Sequence, residues 1–159
     1  MRILGIDPGF ERLGIAVLEK NKQSKKEVVL FSECFKTSAK FEFSERLKLI
    51  GEEVRNIIKE YKPEVLSIET LFLNTNQKTV MRVAEARGVV IYEAAQLGLK
   101  IFEASPPQIK IATTGYGRAN KEQMIKMVKI LVAIDNSKKS DDELDAIAIA
   151  LTAFACLRS

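Results

Sequence analysis

Arg2-Ile3-Leu4-Gly5-Ile6-Asp7-Pro8-Gly9 opens the chain with an apolar run that ends on a carboxylate and then on a strong turn signal. The run is too short for a secretory leader, so it reads as a buried strand that begins a fold. Leu13 to Leu18 supplies a second apolar run, and the polar stretch Glu19 to Lys26 reads as a hairpin connection. Glu27 to Phe35, rich in Val and Phe, follows as a third strand. Three strands joined by short connections predict an antiparallel meander.

The period then changes. Leu47, Ile50, Val54, Ile57, Ile58 and Tyr61 recur at spacings of three and four, which predicts an amphipathic helix over residues 44–61, ended by Lys62-Pro63. Glu64 to Glu69 is a fourth strand, and a polar loop from Asn74 to Lys78 leads into a long helix that stops at Gly98. Lys100 to Ala104 is a fifth strand, and Pro106-Pro107 opens a short helix. Asn120 with Gln123, and Ser140 with Glu143, have the spacing of capping boxes and start the last two helices. The order predicts an α/β domain over residues 1–159: a mixed five-stranded sheet, three strands antiparallel and two parallel, flanked by helices.

Composition narrows the chemistry. The 159 residues are 47% hydrophobic, enough for one core, and no apolar stretch approaches the ~20 residues of a membrane span. The expected setting is the cytoplasm, with Cys34 and Cys156 reduced. There is no histidine, which removes Ser-His-Asp and Cys-His catalysis and leaves acid/base work to carboxylates, lysines or a metal-activated water. Any metal site must be oxygen-rich, which suits Mg²⁺ or Mn²⁺. The net charge of +4 is compatible with a polyanionic partner without requiring one.

Four carboxylates stand out by position. Asp7 and Glu69 each end a strand behind core residues, where an unpaired charge is costly and a metal ion is one way to balance it. Asp142 and Asp145 lie three apart, on one face of the last helix. Simpler roles exist for each: an Asx-type cap of the Pro8-Gly9 turn for Asp7, a salt bridge for Glu69, and the helix dipole for Asp141, Asp142 and Glu143. Asp145, one turn further in, fits the dipole role less well. Together the four could hold two Mg²⁺ ions ~3.5–4 Å apart, the arrangement used for in-line displacement at phosphodiesters.

Gly5-Ile6-Asp7-Pro8-Gly9, Ile68-Glu69 with Phe72, Glu85-Ala86-Arg87-Gly88 and Asp142-Glu143-Leu144-Asp145-Ala146-Ile147-Ala148 resemble, in order and spacing, the motifs of the RuvC resolvases. The segment from Glu45-Arg46-Leu47 to Tyr61-Lys62-Pro63 is similar too, so the resemblance runs nearly end to end. It implies an RNase H-like fold and a Mg²⁺-dependent endonuclease, with Asp7, Glu69, Asp142 and Asp145 as catalytic carboxylates. It further implies a homodimer that resolves four-way DNA junctions by paired symmetrical nicks, with RuvA and RuvB as partners. Phe72 matches an aromatic of the junction-facing loop, and Lys110 and Lys121 match basic residues that hold phosphate. Arg118, in the loop Gly115-Tyr116-Gly117-Arg118, is a further phosphate candidate. The bland roles are a core or interface Phe for Phe72 and solvated surface side chains for the cations.

Arg12-Leu13-Gly14-Ile15-Ala16 is closer to the YqgF-type relatives of the same fold. A YqgF-like nuclease acting on RNA or other nucleic acid is therefore one alternative, and a non-catalytic junction-binding module is another. An actin-like ATPase also opens on a strand followed by Asp-x-Gly, but it needs two such lobes and more chain than this.

Overall fold

Strands β1 (Arg2–Asp7), β2 (Arg12–Lys20) and β3 (Glu27–Lys36) form the expected antiparallel meander in the computed structural model, which describes residues 1–21, 23–24, 26–71, 77–132 and 139–157. Strand β4 (Val65–Glu69) pairs in parallel with the other edge of β1, and β5 (Lys100–Ala104) pairs in parallel with β4. The sheet order is β3-β2-β1-β4-β5. The helices are α1 (Phe43–Tyr61), α2 (Gln77–Gln96), α3 (Pro106–Thr114), α4 (Lys121–Leu131) and α5 (Asp141–Cys156).

Strand side chains alternate between the two faces of the sheet. Leu4, Ile6, Leu13, Ile15, Val17, Leu66 and Ile68 pack with α1 and α2. Ile3, Ala16, Leu18 and Val65 pack with α5 and, beyond it, α3 and α4. Helix α5 is the most deeply covered of the five, with every residue from Ala146 to Phe154 buried. It lies directly on the strands because two positions beneath it carry no side chain. A Cβ at Gly5 would sit 2.2 Å from the Ala146 carbonyl oxygen, and one at Gly14 would sit 2.2 Å from that of Asp142. The buried Ser67 hydroxyl of β4 donates to the Ile149 carbonyl at 2.7 Å and ties the helix to the sheet.

Element boundaries shift where pairing and capping outweigh composition. Glu19 and Lys20, expected in the connection, continue β2 because they pair with Val28 and Glu27, and Glu19 accepts from Arg2 Nε at 2.9 Å. Helix α2 begins at Gln77, inside the expected loop, and ends before Gly98, which takes the left-handed conformation (φ 79°). The capping boxes at Ser140 and Asn120 both form, and Ser105 with Gln108 makes a third at the start of α3.

Gly5→Ala should therefore overpack the contact between α5 and the sheet, at a cost of ~1–3 kcal/mol and a fall in Tm of roughly 3–10 °C. Gly88→Ala, in α2 with nothing within 4 Å of an added Cβ, should leave Tm unchanged or raise it slightly. Thermal unfolding of the two variants checks the contrast; equal shifts would remove the special role of the Gly5 contact.

Candidate active site

The alternation that builds the core also aims the carboxylates. Ile3, Gly5 and Asp7 share the α5 face of β1, as Val65, Ser67 and Glu69 share that of β4. The parallel register runs Gly5 to Ser67 and Ile6 to Ile68, so Asp7 and Glu69 follow one residue beyond the last pair, side by side at the strand ends. Helix α5 starts over this point, and its first two turns bring Asp142 and Asp145. The Ser140 cap and the positive helix end favour negative charge there.

Asp7, Glu69 and Asp145 line a cleft of about 290 Å³ with Lys110 of α3 and Lys121 of α4; Asn120 and apolar side chains that include Ile109, Met124 and Ile149 also line it. Asp142 is not part of the lining. It stands on the β2 side of the group, where its Oδ2 accepts from Arg12 Nε at 2.9 Å and from Arg12 Nη2, and lies 3.5 Å from the Cys34 Sγ. Asp145 Oδ2 accepts from Lys121 Nζ.

The electrostatics follow this division. Burial pushes the Asp7 carboxyl from its ordinary 3.8 up to about 7, and the negative charges of Asp145, Glu69 and Asp142 push in the same direction. Burial, then Asp145, raises Glu69 as well, against a smaller opposing effect of Lys121. For Asp142 burial also acts upward, but the hydrogen bonds from Arg12 and Cys34 outweigh it and hold the carboxyl below its usual range. The group thus carries more negative charge than its own cations neutralise. An all-oxygen donor set with excess charge fits a hard divalent cation such as Mg²⁺ or Mn²⁺. Among the described residues no three carboxylates or thiols already stand together as a metal-ligand group.

Of the expected phosphate-binding residues, Lys110 and Lys121 line the cleft, whereas Arg118 is an exposed turn residue between α3 and α4 and does not. Phe72 lies outside the described residues. Three side chains around the site were not picked out from the sequence. Arg12 and Cys34 reach Asp142 because β2 and β3 present them on the α5 face: Cys34 pairs with Gly14, and Arg12 stands two residues before Gly14 on the same strand. Strand alternation counted from Gly14 places Arg12 on that face. Arg87 of α2 donates through Nε to the Glu69 carbonyl at 2.9 Å and pairs with Glu103, which fixes the end of β4. Its motif is legible, but its role emerges only once α2 is packed on the sheet.

A family model described as crossover junction endodeoxyribonuclease RuvC matches residues 3–153. The protein of that name from Halothermothrix orenii is 43% identical over 151 residues, which is 95% of this chain and 90% of that one. The Thermosipho melanesiensis protein of the same name is 41% identical over 94% of each chain. Among solved structures, Thermus thermophilus RuvC in complex with Holliday junction substrate matches with a TM-score of 0.92 at 31% identity, covering 99% of this chain and 95% of that one. The sheet and its helices are thus the expected RNase H-like fold.

The raised Asp7 carboxyl has a consequence for stability. The folded protein holds that proton more tightly than the unfolded chain, so the associated stability is complete below pH about 4 and is lost as pH rises through about 7. Without metal, Asp7→Asn should keep this contribution, up to about 4 kcal/mol, and be the more stable protein at pH 8. The two should differ little near pH 4. Tm measured against pH in the presence of a chelator tests it; parallel curves would show that Asp7 titrates normally.

Proposed function

The chain belongs to the RuvC family of crossover junction endodeoxyribonucleases, and from that premise we propose that it resolves four-way DNA junctions by hydrolysing phosphodiesters at the cleft of Asp7, Glu69 and Asp145. The observation that carries this reading is the meeting of two strand-end carboxylates and two helix carboxylates beside a pair of cleft lysines. It is supported by the likeness to a RuvC structure bound to a Holliday junction.

Asp7, Glu69, Asp142 and Asp145 would hold Mg²⁺ or Mn²⁺, with two ions per site. When bound, such ions neutralise charge on the attacked phosphate and make water a competent nucleophile at neutral pH without histidine. The chain's own residues do the rest. Lys110 and Lys121, at the same cleft, bind the phosphate on either side of the cut and orient it; Lys121 does so by turning from Asp145. The apolar lining, Ile109, Met124 and Ile149 among it, limits bulk water around the reacting group. Phe72 stacks on a base at the crossover, and Arg118 contacts phosphate further out.

Residues 1–159 act as one nuclease domain, in a homodimer that pairs two sites on one junction, in the cytoplasm and with RuvA and RuvB. No helix among the described residues is long and apolar enough to cross a membrane. Of the alternatives, the non-catalytic junction binder requires a broken carboxylate set, and all four positions are filled. The YqgF-like reading rested on Arg12 to Ala16, a stretch that here sits within a RuvC-family chain.

A synthetic mobile four-way junction with Mg²⁺ tests this reading. The protein should make paired symmetrical nicks in the junction and none in a linear duplex, and Asp7→Asn should lose cleavage by at least about 100-fold while still binding. Binding without cleavage under Mg²⁺ and Mn²⁺ would point to the non-catalytic module, and equal cleavage of duplex to a general nuclease. Lys110→Ala should weaken junction binding and reduce the slope of log affinity against log salt by about one. An unchanged slope would remove Lys110 from the phosphate contacts.

A further inference from the structure

We propose that Arg12 is an internal counter-cation that competes with the divalent metal for Asp142, so that β2 sets how tightly the site takes its metal. The inference rests on the reading of Asp142 as a metal-holding carboxylate. Its basis is geometric. Arg12 opens β2 on the same strand face as Gly14, and Gly14 lets the first turn of α5 settle until the Asp142 carbonyl is 2.2 Å from where a Cβ would be. That seating brings the Asp142 carboxylate within reach of the guanidinium. Nε at 2.9 Å and Nη2 both donate to Oδ2, and Cys34 approaches the same oxygen at 3.5 Å. One oxygen of Asp142 is thus held on the β2 side, and Asp142 is absent from the cleft that Asp7, Glu69 and Asp145 line.

Arg12 is suited to exchange rather than to a permanent lock. Its side chain is 53% exposed, so it can swing into solvent without opening the core. A guanidinium keeps its charge at any pH at which the protein is folded, so the competition is not relieved by titration of Arg12. A divalent ion arriving at Asp142 must displace it from Oδ2 or accept a fixed positive charge beside it. Lys121 pairs with Asp145 in a similar way, but it lines the cleft and has phosphate to turn to. Arg12 does not line the cleft and acts through Asp142, so it is a positioning residue.

Calorimetric titration of the full chain with Mn²⁺, without DNA, reads this directly. Arg12→Gln should bind Mn²⁺ about three- to ten-fold tighter than wild type, and Arg12→Lys, which keeps the charge but loses the two-donor grip, should gain less. The gain should vanish in an Asp142→Asn background, where there is nothing to compete for. Unchanged or weaker Mn²⁺ binding by Arg12→Gln would overturn the proposal. So would an equal gain in the Asp142→Asn background, which would reflect only the loss of one positive charge. Failure of the metal reading itself looks different: wild type and Asp142→Asn would then bind Mn²⁺ alike or not at all, and the proposal falls with it. Thermal unfolding of each variant in chelator confirms that a folded protein is being titrated.

Discussion

The contact between α5 and the bare backbone of β1 and β2 is the constraint on which the rest of the molecule depends. Helix and strand approach this closely only where side chains are absent, and Gly5 and Gly14 provide that, one on each strand. Alanines on the helix side, at positions 146, 148, 150 and 153, continue the same economy. Once the helix is down, its register on the sheet is fixed at its start and at its middle. The Ser67 hydroxyl holds the Ile149 carbonyl, and the Ser140 capping box sets where the first turn begins. The positions of Asp142 and Asp145 relative to Asp7 follow from that seating. A bulkier residue at either glycine would meet the α5 backbone and could not be accommodated without moving the helix that carries Asp142 and Asp145.

That rigidity forces like charges together, and the fold answers them in three ways. Asp142 has Arg12, Asp145 has Lys121, and Asp7, the most buried, takes up a proton more readily than an ordinary carboxyl. Each answer is weak or reversible: both cations are on half-exposed side chains, and the proton leaves near neutrality. Pairs of that kind contribute little to stability, so they cost little to break. A site neutralised this lightly can release Arg12 and Lys121 from its carboxylates at little cost to the fold. The stability that tolerates it comes from elsewhere, from the two apolar layers on either side of the sheet.

Much of this was legible in the sequence because it is periodic. The apolar runs put Asp7 and Glu69 at strand ends, and the three-residue spacing puts Asp142 with Asp145; that Asp7 and Glu69 share a face follows only from the pairing of Ile6 with Ile68. The end-to-end resemblance supplied the fold and the function. What was not legible depends on pairing between distant segments. Glu19 and Lys20 look like a loop until Val28 and Glu27 are opposite them. Where Arg118 sits relative to the cleft depends on the turn after α3, which leaves it exposed and outside the lining. Arg12 looked like a departure from the family pattern. It is the residue whose meaning changes most, since its partner is 130 positions away.

The stretch Arg12 to Ala16 also shows why a local mismatch is a poor guide to subfamily. Its residues answer to two different neighbours. Leu13 and Ile15 point to α1 and α2 and need only be apolar, while Gly14 and Ala16 point to α5 and must be small. Any member of this fold that seats its last helix on β2 meets the same demand, so small residues there report the fold and not the reaction. Arg12 is under neither demand. It opens β2 at the exposed end of the strand, and on the α5 face its guanidinium donates to Asp142. A position free of packing constraint and paired with a carboxylate of the candidate site is where a chain can change the charge around that carboxylate without disturbing its fold.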